Sequence, residues 1–320
     1  MTADAPLTQD DLQVLNALLR SPAGVDLEFP QARRNVLLLQ TRGCDIVASG
    51  PRSYRLLRTG LEVWQDYLAY ALAQEGLPRK VLVYRQTPST QDIARQQPDA
   101  PVAVLADHQT AGRGRLGRPW LAPPATSVLL SMTHPCPTPA EDSIDWVQCV
   151  AAVAIAQALE RLSGRSLIQI KWPNDLIVDG RKLAGILVET TDTGARGRMA
   201  VIGVGINVAP PPPDSTAVPP DLRPRMIHLH DLGCQADRLH VAERVIVHLD
   251  QLLRAPHRKL LLDEWRCRNL MGDQRAVFQC DGRRIAGQVV DLDHREGLIV
   301  RTDWGELVHL HAATTTVLET

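Results

Sequence analysis

Asp179 and Gly180 separate two apolar runs, residues 167–178 and 182–189. The central positions of a two-residue hairpin turn need positive φ, which Asp and Gly accept at low cost. The pair therefore predicts a tight antiparallel connection inside the main sheet. A second glycine feature narrows the fold further. Gly112, Gly114 and Gly117 satisfy G-x-G-x-x-G, the spacing of a dinucleotide-binding turn. Such a turn opens a helix directly after its strand. Pro119 falls where that helix would propagate, and Arg113, Arg115 and Arg118 crowd the same segment. A proline there removes a backbone donor and clashes with the preceding turn, so the dinucleotide reading fails on context.

Around these anchors the chain mixes strands and helices. Apolar residues at helical spacing predict helices over 8–20, 36–40, 61–74, 144–162 and 241–253. Two short strands are expected over 44–57 around Ser49-Gly50-Pro51, and further strands over 81–84, 101–106, 128–133 and 200–208. The proline-rich stretch 210–224 reads as a surface excursion. The last fifty residues change character, with four short apolar strands at 276–279, 284–290, 298–302 and 307–310 that suggest a small antiparallel barrel. The class is α+β. At roughly 150 residues per domain, 320 residues imply two or three units. We divide them as 1–58, a helical linker 59–78, a central domain 79–266 and a C-terminal domain 267–320.

Composition excludes several functions. The net charge of −1 is not that of a protein built to embrace a polyanion, so any anion site must be local. Six scattered cysteines form no C-x-x-C pair and no metal-ligand spacing, which fits reduced thiols in a cytoplasmic protein and assigns no metal site. The N-terminal residues carry no apolar signal core, and the most apolar helix candidate is too short to span a bilayer.

Three segments carry chemistry. In the 112–120 loop, glycines allow backbone N–H groups to converge as an anion nest. Arg113, Arg115 and Arg118 add guanidinium forks suited to phosphate. Three like charges in six residues repel one another until an anion arrives, so the loop is expected to order around a phosphate. A solvated basic turn or a nucleic-acid contact is the alternative. Further on, Lys171 ends a strand beside Trp172 and Pro173, where its ammonium could meet a carboxylate and an α-phosphate. A solvated strand-end lysine is the bland alternative, and Lys182 beyond the turn is expected in solvent. Gly203, Gly205 and Asn207 share one strand face by two-residue periodicity. Two glycines there let a flat ligand lie on the backbone, unless they are merely bulge positions.

Taken together, these segments resemble the biotin–protein ligase family. The matching pieces are Ser89-Thr90-Gln91-Asp92, Gln109 with Gly112–Trp120, Lys171-Trp172-Pro173-Asn174-Asp175, Arg181-Lys182-Leu183-Ala184-Gly185 and Gly203–Asn207. Their order and spacing fit roughly residues 80–266. The resemblance implies a class II synthetase-like central domain, a C-terminal SH3-like barrel and a degenerate N-terminal winged helix like that of bifunctional ligase–repressors. It implies ATP, Mg²⁺ and biotin as ligands, with biotin activated to biotinyl-5'-AMP and passed to a lysine of a biotin carboxyl carrier protein, the acetyl-CoA carboxylase subunit. Lipoate or octanoyl transfer on a related fold, and a DNA-binding regulator with a vestigial pocket, are the competing functions.

Residue roles follow from the same resemblance. Ser89, Thr90 and Gln109 would hold the ureido head of biotin, and Gln91 stands where the family usually has asparagine. Gly112, Arg113, Gly114 and Arg115 would close over biotin and the phosphates, with Arg118 on the ATP side. Leu116 stands where some members carry arginine. Trp120 would cover the adenylate, and Gly185, Gly203 and Gly205 would belong to the same ligand-binding set. Lys171 would hold the reacting carboxylate and α-phosphate, and Asn207 would contact the nucleotide. Lys171, Arg115 and Arg118 form the expected catalytic set. Pairing into a homodimer through sheet edges is also implied.

For DNA the signals conflict. Residues 31–58 hold six arginines against one aspartate, while residues 1–30 hold five acids against Arg20. Only ten residues separate the helix ending near Arg20 from the start, near Gln31, of the helix that contains 36–40, too few for the supporting helix of a helix-turn-helix. The reading against a specific DNA site outweighs the one for it.

Overall fold

The computed structural model describes residues 5–28, 31–97, 101–136, 144–165, 168–193, 197–254, 257–272, 274–293 and 296–319. Helix α1 (Gln9–Arg20) opens on a capping box in which the Thr8 hydroxyl accepts from Asp11 N while Thr8 N donates to the Asp11 carboxylate at 2.9 Å. Its buried face (Leu12, Leu15, Leu18, Leu19) packs on α2 (Ala32–Thr41) and α3 (Trp64–Gln74). Strands β1 (Val25–Asp26), β2 (Asp45–Ala48) and β3 (Ser53–Arg58) form a small sheet in the order β1-β3-β2. Between α1 and α2 the described residues hold only β1 and no helix.

The central sheet has seven strands: β4 (Lys80–Thr87), β5 (Val102–Gln109), β6 (Ser127–Cys136), β7 (Gln169–Lys171), β8 (Asp175–Val178), β9 (Arg181–Asp192) and β10 (Arg198–Asn207). Their order is β4-β5-β6-β10-β9-β8-β7, with β4 and β5 parallel and every other neighbour antiparallel. Strand periodicity sorts the two faces. On β10, Ala200, Ile202, Val204 and Ile206 join the large core that includes α5 (Ile144–Ser163) and α6 (Arg238–Arg254). The odd residues Met199 and Val201 face the other way, packing with Ala94 of the short helix α4 (Thr90–Arg95). Gly203 and Gly205 continue that second face, and the site lies there.

The N-terminal elements are seated on α6. Tyr67 donates to the fully buried Glu243 at 3.0 Å, Arg20 reaches the same carboxylate at 2.7 Å, and Thr59 donates to Asp237 through its N and hydroxyl at 2.9 and 2.8 Å. Helix α7 (Arg258–Arg268), which no expectation included, runs two residues beyond the expected boundary at 266. It leads into an antiparallel sheet of β11 (Arg275–Cys280), β12 (Arg283–Asp293), β13 (Gly297–Thr302), β14 (Leu307–Leu310) and β15 (Thr315–Glu319), in the order β14-β13-β12-β11-β15. Four of these strands match expectation and β15 is additional.

The 179–180 hairpin forms with Asp179 at φ 50° and Gly180 at φ 71°. The run before it is not one strand. It folds back at Trp172-Pro173-Asn174, so that β7 pairs with β8 and Lys171 lies opposite Asp175. Among the described residues no helix is long and apolar enough to cross a membrane. No disulfide joins the six cysteines, and four of them are buried.

Candidate active site

The second face of the sheet holds a cavity of about 540 Å³. Its floor is set by the head of α4. Thr90 donates to Gln109 Oε1 through its N at 2.7 Å and its hydroxyl at 3.0 Å, and that hydroxyl also meets Ser131 Oγ at 2.8 Å. Ser131 donates to Gln91 Oε1 at 3.0 Å, while Gln91 Nε2 donates to Val201 O at 2.9 Å and Glu189 at 3.0 Å. Ser89, Thr90 and Gln91 are buried, and with Gln109 they line the cavity. The longer amide of Gln91 thus spends its donor on the sheet and its oxygen on Ser131.

The glycines of β9 and β10 make room for side chains of this chain. A Cβ on Gly203 would lie 2.6 Å from Gln91 Oε1, one on Gly185 would lie 2.8 Å from the Trp120 ring, and one on Gly205 would overlap that ring outright. The flat group against the backbone is therefore the Trp120 indole, and any ligand meets the indole's other face or edge. Trp120 Nε1 is buried without a partner, and the Lys182 ammonium sits 5.3 Å from the ring centroid.

The arginine loop is a folded hairpin: Gly114 N donates to Arg118 O at 2.7 Å, Arg118 N to Arg115 O at 3.1 Å, and Trp120 N to Gly112 O at 2.9 Å. Leu116 and Gly117 form its tip at φ 54° and 72°. Gly114 N is thereby taken, so it offers no nest. The charge repulsion is relieved by protein groups. Arg113 pairs with Asp92 at 2.5 Å, a bond that pushes its basicity up. Arg115 donates to the carbonyl oxygens of Ala312 and Thr315, the latter at 2.7 Å. Both of these bonds use Nη2, while Nη1 lies 3.5 Å from Asn174 Oδ1 and the side chain lines the cavity. Burial pushes the Arg115 guanidinium down, while Asp175 opposes that shift.

Lys171 and Arg118 also line the cavity, and neither side chain is bonded to a partner among the described residues. Lys182, expected in solvent, lines it as well and pairs with Asp175 at 2.6 Å. Two expected site residues are not brought to the wall. Gly112 packs under the loop, where a Cβ would lie 2.8 Å from Trp120 O, so its role is to let the loop close. Asn207 is buried and donates to Lys182 O at 3.0 Å, because β10 ends beneath the segment that follows the proline-rich loop. His108 is also off the wall.

Sequence reasoning missed Arg225, Thr316 and Val317, all lining the cavity. Arg225 arrives because the chain returning from the proline-rich loop is zipped to β9, with Ile227 N donating to Lys182 O at 3.0 Å. The β-branched run Thr314-Thr315-Thr316-Val317 was a strand signal that could have shown β15. Asp175 is the one carboxylate in the described wall, and Lys182 engages it. The site is cationic and glycine-backed.

The comparisons agree with that chemistry. Residues 82–207 match the biotin/lipoate A/B protein ligase family. The chain is 32% identical over 223 residues to the biotin–[acetyl-CoA-carboxylase] ligase of Mycobacterium tuberculosis, covering 65% of this chain and 79% of that protein. It is 30% identical over 221 residues to the bifunctional ligase/repressor BirA of Bacillus subtilis, covering 68% of this chain and 66% of that one. For the BirA of Bacillus spizizenii the match spans 53% of that protein. In fold, the biotin protein ligase from Aquifex aeolicus in complex with biotin and ATP is similar at a TM-score of 0.61 and 23% identity, over 75% of this chain and 99% of that one. The chain belongs to the biotin–protein ligase family.

Proposed function

We propose that this chain is an ATP-dependent biotin–protein ligase. The observation that carries the reading is the pair of cations, Lys171 and Arg118, without a partner among the described residues and lining a glycine-backed cavity beside an arginine loop. A carboxylate resists amine attack because its leaving group would be oxide. Attack of the biotin carboxylate oxygen on the α-phosphorus of ATP expels pyrophosphate and leaves a mixed anhydride. The acceptor lysine amine then attacks the acyl carbon, AMP departs and the amine loses a proton. Neither step needs an enzyme nucleophile. Positioning and cationic stabilisation suffice.

In this reading the Thr90–Ser131–Gln91–Gln109 network receives the ureido head, and Trp120 walls the acyl chain and nucleotide. Lys171 bridges carboxylate and α-phosphate, and Arg118 serves the pyrophosphate side. Folded over the cavity, the loop keeps water from the anhydride. Asp175 alone does not make a magnesium cage, and it is already engaged by Lys182. A magnesium ion would be held chiefly by the nucleotide's phosphates, as is usual for that ion, and no step is derived through a protein-bound metal.

The units are read as a winged-helix-like N-terminus over 1–58, a class II synthetase-like centre over 79–266 and an SH3-like C-terminal unit over 267–320. The acceptor is read as a carboxyl carrier domain, favoured over lipoate chemistry by the names of the relatives. DNA binding is left out of the proposal, since the stretch between α1 and α2 offers no supporting helix among its described residues. Lys171→Ala should lower adenylate formation by at least a hundredfold while circular dichroism is unchanged. The test is pyrophosphate release with biotin and ATP, and near-parental release would remove the reading.

A further inference from the structure

The arginine loop is tied to the C-terminal sheet by a chain of contacts that starts at the head of α5. Asp145, in the first turn of α5 and buried, accepts from Ala312 N at 2.7 Å with one carboxylate oxygen. Its other oxygen meets His311 Nδ1 at 3.0 Å. These two contacts fix the turn between β14 and β15. From that turn the carbonyls of Ala312 and Thr315 receive the Arg115 guanidinium. Thr316 and Val317, next in the chain, line the cavity, whereas Asp145 does not.

We propose that Asp145 is a positioning residue for the site, holding the 311–315 turn so that its two carbonyls capture Arg115 and keep the arginine loop folded over the cavity.

The physical argument is directional. A single Arg115 nitrogen can serve two backbone carbonyls only while both are held at the right spacing and angle. Within the turn, Thr314 N donates to His311 O at 3.2 Å, which sets its shape but not its place against the central sheet. The Thr315 hydroxyl is buried without a partner, so that side chain does not place it either. The Asp145 carboxylate does so from the opposite side, and buried bonds to a charged acceptor are the strong kind. Its charge also favours the protonated form of Arg115, against the burial that disfavours it. What the loop covers rests on the ligase reading; the latch itself can be read without turnover.

The experiment is limited trypsin digestion of the full chain without ligands, well below the unfolding midpoint of each variant. Cleavage is followed after Arg113 and Arg115, since Arg118 precedes Pro119. Asp145→Ala should speed loop cleavage about tenfold, the order expected for a lost hydrogen bond to a charged group. Arg115→Lys should do the same, and the double variant should be no faster than the faster single one, because both break one latch. A loop as resistant as the parent's in Asp145→Ala, or effects that multiply in the double variant, would overturn the proposal. If Asp145→Ala does not fold, Ala312→Pro, which removes the N–H that Asp145 receives, is read by the same criteria. Loss of the ligase reading alone would show as absent adenylation with the cleavage pattern intact.

Discussion

Gly205 shows how much one absent methyl group decides. The Trp120 indole rests where its Cβ would be, so the cavity owes its shape to a side chain lying on bare backbone. Gly205→Ala should displace the ring and weaken binding of biotin and ATP by tenfold or more, with the fold retained. Overpacking of this kind costs about 1–3 kcal/mol. Isothermal titration would check it, and parental affinities would mean that the indole moves freely. Lys171 and Lys182 make a related point. Both stand near the same hairpin in sequence, yet Lys182 is paired with Asp175 while Lys171 has no partner among the described residues. Strand register sets the difference: Asp175 lies between Lys171 on β7 and Gly185 on β9, and Lys182, opposite Ile177, reaches back to its carboxylate.

At the scale of elements, legibility followed locality. The 179–180 hairpin, the strands β5, β6 and β10 and the helices α1, α5 and α6 all carry their own periodicity or turn chemistry, and each formed within a few residues of expectation. The two-residue β1 and the β7–β8 fold-back have too few residues to show a period. Helix α7 was hidden by charge: it has few apolar residues on its buried side, chiefly Leu261 and Trp265. The contact of Arg115 with a segment about two hundred residues away had no local signal, since the glycine–arginine spacing fits an anion as well as a carbonyl. Packing of α6 on β6 also brings a pH dependence. Burial and the neighbouring Arg79 push His134 down to about 4, and burial with Arg161 does the same to His248. Both stay neutral in the fold but take protons in the unfolded chain below about 6.5. Stability should therefore rise with pH between about 4 and 6.5 and be level above it with respect to these two groups. Melting temperature against pH would show it. A double His134→Gln, His248→Gln variant should have a shallower acid slope, and an unchanged slope would assign acid sensitivity to other groups.

At the scale of the whole molecule, polar contacts join parts that are distant in the chain. Glu243 pins α1 and α3 to α6, Asp237 pins Thr59, and Arg238 joins Trp64 of α3 to Asp107 of β5. An N-terminal unit seated this way is part of the body of the protein and not a freely swinging appendage. The cavity draws its wall from Ser89 at one extreme and Val317 at the other. Contacts between positions so far apart in the chain are paid for late, because loop closure must precede them. On dilution from denaturant, far-ultraviolet ellipticity from the central sheet and helices should return before the capacity to retain radiolabelled nucleotide, and simultaneous recovery would argue against it. For some interval the molecule would have its architecture but no vessel, which makes the meeting of segments far apart in the chain the event that times its competence.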